Sequence, residues 1–157
     1  MKFKLNAGGI NISFEIKEYK KTKNRDDPDW CKCSYSFVAD KLLNYSGENE
    51  EVLTCDEIEY LLEEIEKLLN DQLELDEELE FIEPDFSFEL VTKKDLRNDE
   101  RVIYIAKGHE IVDINMYWCV HFWDEGALTD NTLKISLFRE DIVKLRDYLN
   151  EIVGCFN

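Results

Sequence analysis

Residues 53–69 read LTCDEIEYLLEEIEKLL, and residues 137–153 read LFREDIVKLRDYLNEIV. In the first segment Ile58, Leu61, Leu62, Ile65, Leu68 and Leu69 recur at three- and four-residue spacing, which lays them along one side of a helix. Thr54 stands at the cap position, and Glu57, three residues on, completes a capping box. Asp56 and Glu57 occupy the first turn, where unpaired backbone N–H groups favour anions. The spacing predicts a helix over 55–70. The second segment predicts another over 140–153, with Gly154 as its C-terminal cap. The two segments align without a gap, Ile58 on Ile142, Leu61 on Leu145, Ile65 on Leu149 and Leu68 on Ile152. Two readings of this echo stay open: any two amphipathic helices look alike, or the chain repeats a meander-plus-helix unit.

Strand patterns surround both helices. Phe3 to Asn6 reads as a short strand closed by the turn dipeptide Gly8-Gly9. From Ile10 to Tyr19 apolar and polar residues alternate, as on a half-buried antiparallel strand. A polar loop with Lys17, Lys20, Lys21, Lys23 and Arg25 at or near it runs to Pro28. Trp30 to Asp40 alternates again, with Cys31, Cys33, Tyr35 and Phe37 on one face, and Leu42 to Leu53 is a weaker strand broken near Ser46-Gly47. Beyond the first helix, strands are expected at Leu79 to Ile82, across Phe86, Phe88 and Leu90, at Val102 to Ala106, and from Ile111 to Trp123. In the last of these Val112, Ile114, Met116, Trp118, Val120 and Phe122 make an apolar face. Lys93 to Glu100 reads as a charged loop and DEGALTDN as another, before a final strand through Leu133, Ile135 and Leu137. Consecutive strands with short turns and two helices predict one α+β domain over residues 1–157. Its expected form is a twisted antiparallel sheet of about 7–9 strands carrying both helices on one face.

The bulk numbers bound the class. The chain has 157 residues, 44% of them hydrophobic, enough for a real core. No apolar run approaches the roughly 20 residues that span a bilayer, and the alternating N-terminus lacks the apolar core of a signal peptide. Five cysteines, an odd count, fit free thiols in a reducing cytoplasm.

Few residues invite catalytic or metal chemistry. Cys31 and Cys33 share a strand face, but a structural zinc site needs about four ligands, and the other cysteines and both histidines stand apart. They are expected to face the core, with no metal. Asp26, Asp27 and Asp29 lack the spacing of a calcium loop. Cys119 and His121 share a face roughly 7 Å apart, too far for a nucleophile–base contact. No phosphate loop, nucleophile elbow or zinc-protease sequence is present, so neither an enzyme nor a cofactor is expected. Tyr117, His121 and Trp123 lie on the polar-aromatic side of their strand. That face is the alternative binding site, for a small ligand or peptide.

Charge is the remaining signal. From Glu48 to Asp85 there are seventeen carboxylates and one base, Lys67, in a chain of net charge −17. Such a field repels nucleic acid and membrane surfaces and attracts basic proteins. On a helical wheel Asp56, Glu59, Glu63 and Glu66 lie opposite the apolar stripe, and Glu74, Glu77, Glu78 and Glu80 continue the field. These eight residues are the expected docking surface for a basic partner.

Four features together resemble a known family: the acidic loop ending in Asp29-Trp30, the Leu-Thr that opens the acidic helix over 53–69, the stretch LEFIEPDFSF over 79–88, and the terminal segment from Leu137 to Phe156 with its I-x-x-L-x-x-x-L-x-x-I spacing. The pattern is similar to the WapI-type immunity proteins, which protect bacteria from their own contact-dependent or polymorphic toxins. The segment from Lys93 to Glu110 is longer than that pattern. The resemblance implies an intracellular protein that needs no cofactor and blocks a cognate toxin, in the named case a nuclease acting on tRNA. A toxin that binds phosphate carries a basic cleft, which the acidic surface could occupy.

Overall fold

Alternation and turn chemistry build the first half of the molecule. The computed structural model describes residues 1–22 and 26–156; Lys23, Asn24 and Arg25 of the polar loop lie outside the described residues, as does Asn157. Strands β1 (Phe3–Ala7), β2 (Ile10–Glu18), β3 (Trp30–Ala39) and β4 (Leu43–Thr54) form an antiparallel sheet in chain order. Gly8 and Gly9 both take positive φ, and the two-residue turn sets Ala7 opposite Ile10. Ile12, Phe14 and Ile16 are buried, Ser13 and Glu15 between them are partly exposed, and Asn11 and Lys17 at either end are exposed.

Helix α1 (Cys55–Leu69) follows β4 without a loop, and its capping box is complete. Thr54 Oγ1 accepts from the Glu57 backbone N–H at 3.2 Å, and the Glu57 carboxylate accepts from the Thr54 N–H at 2.8 Å. The same carboxylate also accepts from the Ile82 N–H at 2.6 Å, so one side chain fastens the helix start to the distant 80–85 turn. Glu57→Ala is therefore expected to cost about 1–2 kcal/mol, measured by urea unfolding, because three donors lose an acceptor together.

The second half repeats the plan. Strands β5 (Glu77–Leu79), β6 (Phe86–Val91), β9 (Asn115–Asp124) and β10 (Ala127–Phe138) form a second four-stranded antiparallel sheet, and α2 (Arg139–Phe156) follows directly. Between β6 and β9 a small ribbon, β7 (Lys94–Asp95) with β8 (Ile111–Val112), leaves the sheet. Each half is thus a four-strand meander running into a helix, the architecture of the second reading of the echo. All eight aligned residues, from Ile58/Ile142 to Leu68/Ile152, are buried.

The α+β class holds, with the strands divided between two sheets and a ribbon rather than joined in one. The reason is visible in the core. Aromatic rings from the two sheets meet each other. Trp118 of β9 is 1% exposed and lies 5.5 Å from the rings of Phe14 and Phe37 in the first sheet, and 5.3–5.5 Å from Phe88 and Phe86 in its own. α1 packs on β4 and β6, α2 on β1 and β10, and the helices on each other. Each helix therefore touches both sheets on their shared apolar side. The Tyr148 hydroxyl of α2 accepts from the Ile16 N–H at 2.8 Å and ties the second helix to the first sheet.

Several boundaries differ from the sequence expectations. Val102–Ala106 joins no sheet, and Ile103 and Tyr104 are 101% and 83% exposed. The run is apolar but does not alternate, and no described strand pairs with it. The strand expected from Ile111 to Trp123 is broken at Asp113-Ile114, which leaves Val112 exposed on the ribbon. The strand expected at 79–82 is Glu77–Leu79, held by pairing of Leu79 with Phe88, and Ile82 is exposed. DEGALTDN is no long loop. Glu125 and Gly126 alone turn, both at positive φ, and the polar residues after them belong to β10, an edge strand with much of its first half exposed. Gly154 lies inside α2 rather than capping it.

Candidate functional site

Carboxylates are placed by α1 and by the segment after it, and the two groups have different surroundings. On the helix every predicted docking residue has a cation beside it. Lys21 Nζ lies 2.9 Å from Asp56 and 2.8 Å from Glu59, and the Tyr19 hydroxyl donates to Glu59 at 2.6 Å. Hydrogen bonds to Glu59 and Asp56 raise the Lys21 ammonium above its usual range, and burial followed by Glu59 raises the Tyr19 phenol. Lys67 holds Glu63 at 2.8 Å. Glu66 is not opposite the core but half-buried beside α2, with Arg146 at 3.9 Å and Asn150 at 3.4 Å. The like-charge repulsion along this helix face is offset by Lys67 within the helix and by Lys21 and Arg146, which lie far off in sequence.

Beyond the helix the surroundings change. Glu74, Glu77, Glu78 and Glu80 are all exposed, and none has an ion-pair partner among the described residues. Asp76 in the same run does have one, Lys94 at 2.7 Å. Glu77 sits close to Glu64, a buried acid of α1 that the helical-wheel reading passed over because it lies toward the core edge. Glu64 is 4% exposed and paired with Lys67 at 2.6 Å. Burial first, then the Glu64 carboxylate, raises the Glu77 carboxyl above its usual range.

The alternative face is not gathered into one site. The ring of Tyr117 lies under the Lys134 ammonium, 4.3 Å from its centroid. His121 is held between Ser87 and Thr132, each 2.9 Å from one ring nitrogen, and borders a small groove with Phe81 and Leu128. Trp123 borders a different groove. The buried cysteines face the core as expected. Burial raises the thiols of Cys31, Cys33 and Cys55, that of Cys33 up to about 12, which keeps them protonated and unreactive. Among the described residues no group of His, Cys, Asp or Glu is arranged to hold a metal ion.

The Trp123 groove, about 350 Å³, was not foreseen. It runs between β4 and the 80–85 turn and is lined by Tyr35, Tyr45, Gly47, Glu50, Glu83 and Asp85 together with Trp123. Its residues are spread over nearly ninety positions, and the pairing of β3 with β4 and of β6 with β9, together with the packing of the two sheets through Tyr35–Phe86 and Tyr45–Phe122, brings them together. The one local signal is Gly47, which pairs opposite Tyr35. A Cβ there would lie 2.5 Å from the Tyr35 ring. Gly47→Ala is expected to push that ring aside and cost about 1–3 kcal/mol in urea unfolding.

One comparison identifies the family to which this arrangement belongs. The model of the Immunity protein WapI-like family matches residues 2–157. The chain belongs to the WapI-like immunity protein family. No curated protein matches it in sequence. The match runs over nearly the whole chain, the long 93–110 segment included, and membership supports a general role in toxin immunity through binding of a cognate toxin. Among the described residues no helix is long and apolar enough to cross a membrane.

Proposed function

We propose that this WapI-like chain neutralises its cognate toxin in the cytoplasm by placing an acidic surface against a basic cleft of that toxin, a nuclease in the case the family resemblance implies. The carrying observation is the exposed run Glu74, Glu77, Glu78 and Glu80, none of which forms an ion pair among the described residues. Glu74, Glu78 and Glu80 give up no ion pair when a cationic surface arrives, and Glu77 gives up only its contact with Glu64, so the run contributes to both approach and final affinity. Asp56, Glu59, Glu63 and Glu66 extend the same field from the helix. Inhibition by occupancy needs no catalytic group and no cofactor, and the negative field disfavours nucleic acid as a ligand. Co-expression with the product of the neighbouring upstream gene, taken as the candidate toxin, tests this. The expected result is a co-purifying complex and restored growth. No complex, together with undiminished toxicity, rejects the proposal.

A further inference from the structure

We infer that the groove between β4 and the 80–85 turn receives an arginine side chain of the bound toxin. This rests on the immunity reading above. The walls are aromatic, with the rings of Tyr35 and Tyr45 6.1 Å apart and Trp123 37% exposed at the mouth. The floor is backbone at Gly47, against which the Tyr35 ring lies directly. Glu50, Glu83 and Asp85 converge on this space, and none has an ion-pair partner among the described residues. Asp56, Glu59, Glu63 and Glu66 of α1, by contrast, each have a base nearby.

Asp85 is the fixed member. Its backbone carbonyl accepts from the His121 N–H at 2.9 Å, and its carboxyl borders the same groove as the Trp123 indole. Burial first, then Glu83, raises its carboxyl above the usual range. A half-buried carboxylate among like charges gains most from an incoming cation. A guanidinium suits the place better than an ammonium: its plane stacks on indole and phenol faces while its N–H fork meets carboxylates.

N-acetyl-arginine amide titrated into the ¹⁵N-labelled protein reads the site, through the Trp123 indole resonance assigned with Trp123→Phe. The inference expects a saturable shift, an affinity about fivefold better than for N-acetyl-lysine amide, and about tenfold weaker binding in Asp85→Asn. Affinity should also fall as pH drops through the raised carboxyl of Asp85, since the protonated form attracts no cation. Glu83→Gln repeats the test should Asp85→Asn fail to fold. No saturable shift, or equal affinity in wild type and variants, overturns the inference. The toxin domain separates the two proposals. Binding by wild type and Asp85→Asn with equal affinity removes the groove and leaves the immunity reading standing. A toxin domain that binds neither removes the immunity reading, while the arginine titration still decides the groove.

Discussion

Trp118→Ala is expected to lower the free energy of unfolding by about 3–5 kcal/mol. The indole is the piece that both sheets share, since Phe14 and Phe37 come from one and Phe86 and Phe88 from the other. Truncation leaves a void bounded by four rings on two separate layers, which cannot collapse without moving one sheet against the other. A domain of this size has about 5–15 kcal/mol in all, so the variant should sit near the edge of folding and melt about 10 °C lower. The indole nitrogen has no hydrogen-bond partner among the described residues. Trp118→Phe removes that unsatisfied donor and keeps most of the ring contact, so it should lose much less than the alanine variant. Urea unfolding of the two variants in parallel checks both magnitudes. Equal losses would show that the aromatic contacts between the sheets matter little.

The second large effect separates the two acidic groups. Neutralising Glu74, Glu77, Glu78 and Glu80 together to Gln is expected to weaken toxin binding by about 100-fold or more. Neutralising Asp56, Glu59, Glu63 and Glu66 removes the same formal charge, so both variants should slow association to a similar degree. They should differ in dissociation. The helix acids are already engaged by Lys21, Lys67 and Arg146 and would have to exchange those partners to contact the toxin. Their replacement should raise the dissociation rate by no more than about tenfold. Surface plasmon resonance gives the two rates separately. A helix variant that dissociates faster than the 74–80 variant would return the docking site to α1.

What was legible in the sequence was local. The capping box of Thr54 and Glu57, the buried stripe of Ile58, Leu61, Ile65 and Leu68, and the alternation of Ile12, Phe14 and Ile16 all lie within a turn or a strand, and each recurs in the structure. The division into two sheets was not legible, because it depends on which aromatic faces meet across the core. Polar β10 residues such as Thr129 to Asn131 looked like a loop because an edge strand exposed over much of its length has no reason to alternate. Val102 to Ala106 looked like a strand because apolar composition alone carries no information about a pairing partner. The candidate site follows the same rule. Seventeen carboxylates could be counted from the chain, but Lys21 meets Asp56 and Arg146 meets Glu66 only after folding. Pairing across those distances decides which acids remain available, and it likewise assembles Trp123, Glu50 and Asp85 around one groove.

The most direct test of the acidic-surface mechanism is the dissociation constant of the wild-type chain and the toxin domain across a range of salt concentration. Binding through exposed, unpaired carboxylates predicts a Kd that rises steeply between about 50 and 500 mM salt, as screening shortens the reach of the field from about 14 to 4 Å. It predicts as well that the slope shrinks when Glu74, Glu77, Glu78 and Glu80 are neutralised. A Kd that stays constant over that range, in wild type and variant alike, would contradict the mechanism.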